Sequence, residues 1–147
     1  MKLESAAFQN NGKIPPRYTC DGENINPPLA ISDIPKGAKS LALIVDDPDS
    51  PSGTWIHWLI SDVEPDTTSV AEGQPPKGAR EGVNSFGKSG YGGPCPHSGT
   101  HRYFFKLYAL DTKLGLSTAA DIKEFERAVA GHILAKTLLV GLYDRGA

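Results

Sequence analysis

The sequence predicts a mainly β fold, and three observations support this prediction. Apolar and aromatic residues occur in short runs bounded by Gly and Pro, which is typical of strands. Several of these runs alternate with a period of two residues, the spacing that places alternate side chains on one face of a sheet. Only one stretch, near the C-terminus, has helical spacing, so we expect one or two short helices beside the strands.

The N-terminal part of the chain is broken by turns. Residues 2–8 form a weak first strand, and Asn10-Asn11-Gly12 is a turn signal. The prolines that follow keep the chain extended, because a residue before proline avoids the helical region. Residues 29–31 are then a short extended segment, and no helix is expected here.

The middle of the chain contains two predicted strands. Residues 40–46 form a continuous apolar run between Gly37 and Pro48, which favours a buried strand. Residues 54–60 are rich in aromatic and β-branched residues. Strict alternation would place Trp55, His57 and Leu59 together on one face of this second strand.

A loop and a long strand follow. Residues 61–100 are dense in Gly and Pro, yet a long loop in a small domain is usually functional. We expect it to pack over a pocket, with residues 84–86 pairing as a short strand. The strand at residues 101–110 places His101, Tyr103 and Phe105 on one face.

The C-terminal part predicts one helix and a last strand. Thr118 is the expected N-cap, with Asp121 near the positive end of the helix. His132 is expected to interact with the helix C-terminus rather than to belong to a site. The last strand is predicted at residues 137–143, and the helix buries an apolar stripe of Ile122, Phe125, Val129 and Ile133.

Composition indicates a single domain over residues 1–147. A net charge of −2 argues against broad nucleic-acid binding, and no apolar run is long enough for a membrane-spanning helix. The start of the chain lacks the apolar core of a signal peptide, so we expect a cytoplasmic protein. Cys20 and Cys95 are then expected as free thiols, a bridge being possible only if their loops meet.

Four polar or aromatic side chains stand out because of their positions. Asp47 follows one strand, His57 lies in the next, and His101 and Tyr103 begin the long strand. All four flank the two loops that are rich in Pro and Gly. Considered alone, His57 is typical of a hydrogen-bonded core histidine, and Asp49 is typical of a turn. Together, the four residues indicate the rim of a pocket.

Three motifs resemble one known family. Asp47-Pro48-Asp49-Ser50-Pro51, Trp55-Ile56-His57-Trp58, and Gly93-Pro94-Cys95-Pro96 with Gly99-Thr100-His101-Arg102-Tyr103 occur in that order. They resemble the phosphatidylethanolamine-binding protein family, also called the Raf kinase inhibitor protein family, in its bacterial and archaeal branch. The resemblance implies two antiparallel sheets with Greek-key connections and a small anion-binding cavity. It also implies a homodimer, and kinase modulation is known in the family.

Carried onto this chain, the resemblance implies eight ligand-binding residues. They are Asp47, Pro51, Trp55, His57, Gly93, Pro94, His101 and Tyr103. Cys95 stands where the family often has a second proline.

An anion in this pocket needs hydrogen-bond donors. The two imidazoles, the Tyr103 hydroxyl and backbone N–H groups near Gly93 can supply them. Asp47 would repel the anion, so we expect it to orient a histidine and favour its charged form. Anion affinity should therefore fall as pH rises through the histidine titration.

The sequence leaves an enzymatic alternative open. Asp47, His57 and His101 have the composition of a two-histidine, one-carboxylate metal site, and either histidine could act as the base of a hydrolase. No nucleophile motif is present. We expect a binding protein for phosphate, a phospholipid headgroup or a phosphorylated side chain, with no metal, no other cofactor, no nucleic acid and no integral membrane association.

Overall fold

A computed structural model describes residues 1–145 of the chain. It contains nine strands, one α-helix and one 3-10 turn at Pro16–Tyr18 among these residues. The strands are β1 (Lys2–Glu4), β2 (Gly12–Lys13), β3 (Leu29–Ser32), β4 (Ser40–Asp47), β5 (Trp55–Val63), β6 (Ser69–Val70), β7 (Arg80–Glu81), β8 (His101–Leu110) and β9 (Ile133–Tyr143), and the helix α1 is Ile122–Val129.

The strands form two sheets, as predicted. The smaller sheet has the order β1-β3-β6, and the larger has the order β2-β9-β8-β4-β5-β7. β8 returns by a long connection to lie beside β4, which gives β8-β4-β5-β7 the spatial order of a Greek key. Every pair is antiparallel except β2 and β9, which run parallel.

Two apolar clusters hold these layers. The first lies between the sheets and includes the fully buried Trp58, Tyr103 and Phe105. The second lies on the other face of the large sheet, where Phe125 and Val129 of α1 pack on it. The large sheet is therefore covered by the small sheet on one face and partly by α1 on the other.

Two boundaries near the C-terminus differ from the sequence prediction. The N-cap of α1 is Asp121, whose carboxylate accepts a hydrogen bond from the Glu124 N–H at 3.0 Å, so Thr118 is not the cap. The last strand begins at Ile133, which is exposed and not part of the helical stripe. Gly131, with a φ of 79°, separates the two elements and ends the helical period early.

The alternation predicted for β5 is wrong at its first residues. Val45 pairs with Trp58, but the next residue of β4, Asp46, pairs with Ile56. β5 therefore has one extra residue at His57, which is a β-bulge. Trp58 lies in the cluster between the sheets and Leu59 in the cluster under α1, and the bulge turns His57 away from the side of Leu59.

Cys20 and Cys95 form a disulfide, with Cα atoms 5.4 Å apart, so the expectation of two free thiols is wrong. The two loops meet because backbone groups already join them. The Cys20 N–H donates to the Pro94 carbonyl at 3.1 Å, and the Asn24 side chain accepts from the Gly93 N–H at 2.8 Å. The expected short strand at residues 84–86 is also absent. The pairing found nearby is one isolated bridge between Val83 and Ser89, which flank that segment.

Within residues 1–145, the one helix is too short to cross a bilayer. The cytoplasmic location stays a prediction.

Candidate functional site

Three adjacent strands bring the polar residues to one edge of the large sheet. β4 ends at Asp47, β5 begins at Trp55, and β8 begins at His101. Because β5 and β8 both run antiparallel to β4, the end of β4 lies beside the beginnings of its two neighbours. Residues far apart in the sequence therefore meet without any special loop geometry.

A cavity of about 290 Å³ opens at this edge. Six of the eight residues expected from the sequence line it: Asp47, Pro51, Trp55, His57, His101 and Tyr103. Its walls also contain residues that the sequence analysis did not single out as site residues: Ser50, Ser52, Phe86, Cys95, Pro96 and His97.

Asp47 orients His101. The His101 Nδ1 lies 2.6 Å from the Asp47 Oδ2, and both side chains are buried. The other oxygen of Asp47 accepts the N–H of Asp49 at 2.8 Å, so the carboxylate is held at both oxygens. A charge-assisted bond of this kind fixes the ring and favours a proton on Nδ1.

His57 is fixed by the loop that covers the cavity. Its Nδ1 donates to the Gly92 carbonyl at 2.6 Å, and its own carbonyl accepts the Gly92 N–H at 2.9 Å. Burial is the largest influence on this imidazole and lowers its pKa below the usual value, against the opposing effect of Gly92. The ring of Phe86 meets His57 edge-on at 5.5 Å.

The Tyr103 hydroxyl is buried and has no hydrogen-bond partner in the described part of the chain. Its ring meets His57 edge-on at 5.2 Å and lies parallel to His101 at 6.5 Å. Burial, and then the charge of Asp47, raise the pKa of Tyr103, so the phenol keeps its proton. A buried hydroxyl without a partner is costly, and such a group often serves a ligand.

An ion pair closes one side of the rim. Arg102 donates to Asp49 through Nε at 2.9 Å, Nη2 at 2.8 Å and its backbone N–H at 3.0 Å. These bonds lower the pKa of Asp49 to about 2. Arg102 is occupied in this way and does not line the cavity, so it is not free to pair with an incoming anion.

Gly93 and Pro94 lie behind the cavity wall rather than on it. A side chain at Gly93 would collide with Asn24 and the Tyr18 carbonyl, so only glycine allows this close approach. The Gly93 N–H is donated to Asn24, and the Pro94 carbonyl accepts from Cys20. Both residues therefore position the loop that carries Cys95 and Pro96.

The lining residues contributed by loops were beyond the reach of the strand pattern. Phe86 and His97 follow no period, and their placement depends on how residues 61–100 fold back. Asn84 fixes part of this segment, since its amide donates to the Gly90 carbonyl and accepts from the Phe86 N–H. No three His, Cys, Asp or Glu side chains of residues 1–145 converge in a way that could hold a metal ion.

The model of one protein family, described as phosphatidylethanolamine-binding protein, matches residues 4–144. The chain belongs to the phosphatidylethanolamine-binding protein family. A UPF0098 protein of Methanothermobacter thermautotrophicus is 52% identical to it, over 99% of this chain and 100% of that protein. A UPF0098 protein of Chlamydia muridarum is 44% identical, over 99% of each chain.

Solved structures agree with this membership in the phosphatidylethanolamine-binding protein family. A homologue of these proteins from Chlamydia trachomatis superposes with a TM-score of 0.94 at 42% identity, over 98% of this chain and 97% of that one. E. coli YbcL, described as a member of the mammalian family, gives a TM-score of 0.92 at 27% identity, over 99% and 98% of the two chains. Membership supports a non-catalytic binding protein in general.

Proposed function

We propose that the cavity binds a small anionic group, namely phosphate, a phospholipid headgroup or a phosphorylated side chain, without chemical turnover. The buried Tyr103 hydroxyl carries this proposal, because it has no partner within residues 1–145 and its ring contacts the rings of two histidines that line the cavity. A bound oxyanion would accept its proton. The hydroxyls of Ser50 and Ser52, which line the same cavity, would add donors.

The size and the walls of the cavity limit the ligand. A volume of about 290 Å³ holds a headgroup but not acyl chains. Trp55 and Phe86, whose rings meet edge-on at 5.5 Å, form an apolar wall against which the remainder of a ligand could pack. Arg102 is already paired with Asp49, so binding would depend on hydrogen bonds more than on a free cation.

Titration of the ¹⁵N-labelled protein with inorganic phosphate or phosphoethanolamine, followed by NMR, tests this proposal. Peaks of Tyr103, His101 and Trp55 should move together at millimolar ligand or below. His101→Ala should weaken binding at least tenfold while the rest of the spectrum stays folded. His132→Ala is the matched control, because His132 pairs with Asp111 outside the cavity. Unchanged affinity in His101→Ala would remove that residue from the site.

The enzymatic alternative, a metal- or histidine-dependent hydrolase using Asp47, His57 and His101, is not favoured. No group of three His, Cys, Asp or Glu side chains that could hold a metal ion occurs among residues 1–145. Elemental analysis of protein purified without added metal is the direct test. Near-stoichiometric iron or zinc would reopen this alternative.

We also propose a homodimer, supported by the outer edge of β9. This strand pairs with β8 along its length but with β2 only at Gly141 and Leu142, so its first half has an open edge. Ile133, Leu134 and Leu138 expose 43–48% of their surface there. Light scattering should give twice the chain mass, and Leu134→Lys with Leu138→Lys should give the monomer.

A role in kinase modulation would follow only if a phosphorylated side chain proved to be the ligand.

A further inference from the structure

Two of the three histidines that line the cavity, His57 and His101, use Nδ1 to donate into the protein. The partner of the His57 Nδ1 is a backbone carbonyl, and that of the His101 Nδ1 is the Asp47 carboxylate. A carbonyl or an ionised carboxylate can only accept, so each Nδ1 carries the hydrogen. The neutral form of each ring therefore has its lone pair on Nε2.

The side-chain hydrogen bonds found for these two rings within residues 1–145 all use Nδ1, and neither Nε2 is among the fully buried atoms without a partner. The buried side-chain atoms without a partner in that part of the chain are the Asp46 Oδ1 and the Tyr103 hydroxyl. Since His57 and His101 both line the cavity, Nε2 is the ring atom that each presents to a ligand, and in the neutral ring it carries a lone pair. A neutral imidazole in this tautomer accepts a hydrogen bond and cannot donate one to an anion.

The resting cavity is therefore poorly suited to an anion without a proton. Its titratable lining groups are Asp47 from β4, His57 from β5, His101 and Tyr103 from β8, and His97 from the covering loop. Behind them, Asp49 is neutralised by Arg102. Asp47 is the only charge among these groups when the histidines are neutral, and burial keeps His57 neutral by lowering its pKa. The donors that remain in the lining are then uncharged: the hydroxyl groups, the Trp55 indole N–H and one ring N–H of His97.

A ligand that brings its own proton resolves this conflict. Phosphate monoesters have a second pKa of about 6 and keep a transferable proton near neutral pH. Phosphate diesters and sulfate are fully ionised and have none. A monoester monoanion and a diester carry the same charge, so the proton is the main chemical difference at the acceptor.

We propose that the cavity selects phosphate monoesters over diesters and sulfate, because the ligand enters with one proton that is shared between a phosphate oxygen and the Nε2 of His57 or His101. This inference rests on the proposed function and names its ligand class. No covalent bond changes. The monoester, mostly dianionic at pH 7, takes up one proton from solvent as it binds.

Isothermal titration calorimetry with size-matched probes tests the inference. Methyl phosphate should bind at least tenfold more tightly than dimethyl phosphate, and inorganic phosphate more tightly than sulfate, at pH 7. Two buffers of different ionisation enthalpy should show an uptake of about 0.9 proton per methyl phosphate at pH 7 and about 0.2 at pH 5.5, from a ligand pKa of about 6.

A substitution at His101 tests whether the Nε2 lone pair is responsible for the preference. His101→Gln replaces the acceptor with an amide that can donate without titrating. It should reduce the preference for methyl over dimethyl phosphate to less than threefold, whereas His132→Ala should keep the full preference. Equal affinities for the two esters with no buffer dependence would overturn the inference and leave the anion site intact. No binding of any probe would overturn both proposals.

Discussion

Asp46 and Asp47 are neighbours in the chain with opposite environments. Asp47 faces the cavity and has partners at both oxygens. Asp46 faces the other side of β4, where its Oδ2 accepts from Lys106 at 2.8 Å but its buried Oδ1 has no partner among the described residues. Burial raises the pKa of Asp46, and the neighbouring ammonium only partly opposes this effect. The Asp47 carboxylate therefore has hydrogen bonds at both oxygens, whereas the Asp46 carboxylate has one at a single oxygen.

This contrast predicts different results for two identical substitutions. Asp46→Asn removes a charge that burial disfavours, so the free energy of unfolding at pH 7 should change by less than about 1 kcal/mol. Asp47→Asn removes the charge and one of the two acceptor oxygens, and it should cost about 1.5–3 kcal/mol. Urea denaturation measures both. Because the pKa of Asp46 is raised, its penalty decreases on acidification, so the Asp46→Asn difference should shrink at low pH. Equal losses would contradict this prediction.

The Tyr103 hydroxyl predicts a trade-off between stability and binding. Tyr103→Phe removes a buried hydroxyl that has no partner in the described part of the chain, so the free energy of unfolding should rise by about 1 kcal/mol while phosphate affinity falls several-fold. Tyr143→Phe is the control, because the Tyr143 hydroxyl donates to Asp21 at 2.6 Å and its loss should destabilise the protein. Thermal unfolding and calorimetry of the two variants decide the matter. A destabilised Tyr103→Phe would show that the hydroxyl has a structural partner.

At the scale of elements, β8 and β5 show when a strand pattern can be trusted. The bounds predicted for β8, His101 to Leu110, are those of the structure, and its alternation holds because its pairing with β4 is regular over the site. In β5 the same pattern fails at His57. A bulge depends on the register between two strands, and a single sequence does not contain that register. The shift that brings His57 into the cavity could not have been predicted.

The disulfide between Cys20 and Cys95 ties the covering loop to the N-terminal part of the chain, and it should contribute to the free energy of unfolding. It closes a segment of 75 residues between Cys20 and Cys95, for which loop entropy gives about 4.5 kcal/mol, while measured values are typically about 2–4 kcal/mol. The double variant Cys20→Ser with Cys95→Ser should lose this amount in denaturant unfolding. Dithiothreitol should destabilise the wild-type protein to the same extent and leave the double variant unchanged. A reductant effect on the double variant would show that another process is responsible.

For the whole molecule, the mainly β fold in two sheets was predictable, and much of the cavity was not. Apolar runs and turn residues act locally, and they define most of the longer strands. The motif resemblance supplied the residues that meet at the sheet edge. Phe86, Pro96 and His97 come from irregular backbone whose path depends on Asn84, Asn24 and the disulfide. Those contacts join distant segments and have no signature in a local pattern.

His57 and Asp49 both make the fold less stable in acid, each over its own pH range. The folded pKa of His57 is lowered, so its contribution to stability is full above about pH 6.5 and is lost as pH falls through the folded value. The folded pKa of Asp49 is about 2, so the Arg102 pair contributes above the usual aspartate pKa and is lost as pH falls toward 2.

Unfolding free energies measured from pH 8 to pH 2 should therefore decline in two separate steps. The slope for a single proton is at most about 1.4 kcal/mol per pH unit. His57→Gln should remove the step near neutrality and Arg102→Gln the acidic one. A wild-type profile that stays flat from pH 7 to pH 5 would contradict the assignment to His57.

The order β8-β4-β5 also has a consequence for how this cavity could diversify. His57 and His101 stand on strands separated by one other, and two interstrand spacings amount to roughly 10 Å of rigid ladder. Single substitutions do not change the spacing between paired strands, so the distance between the two imidazoles is set by the sheet. The loop segments that carry Phe86 and His97 can change in sequence, and the part of the ligand attached to the charged group can change with them. The residues that bind the charged group itself keep their spacing.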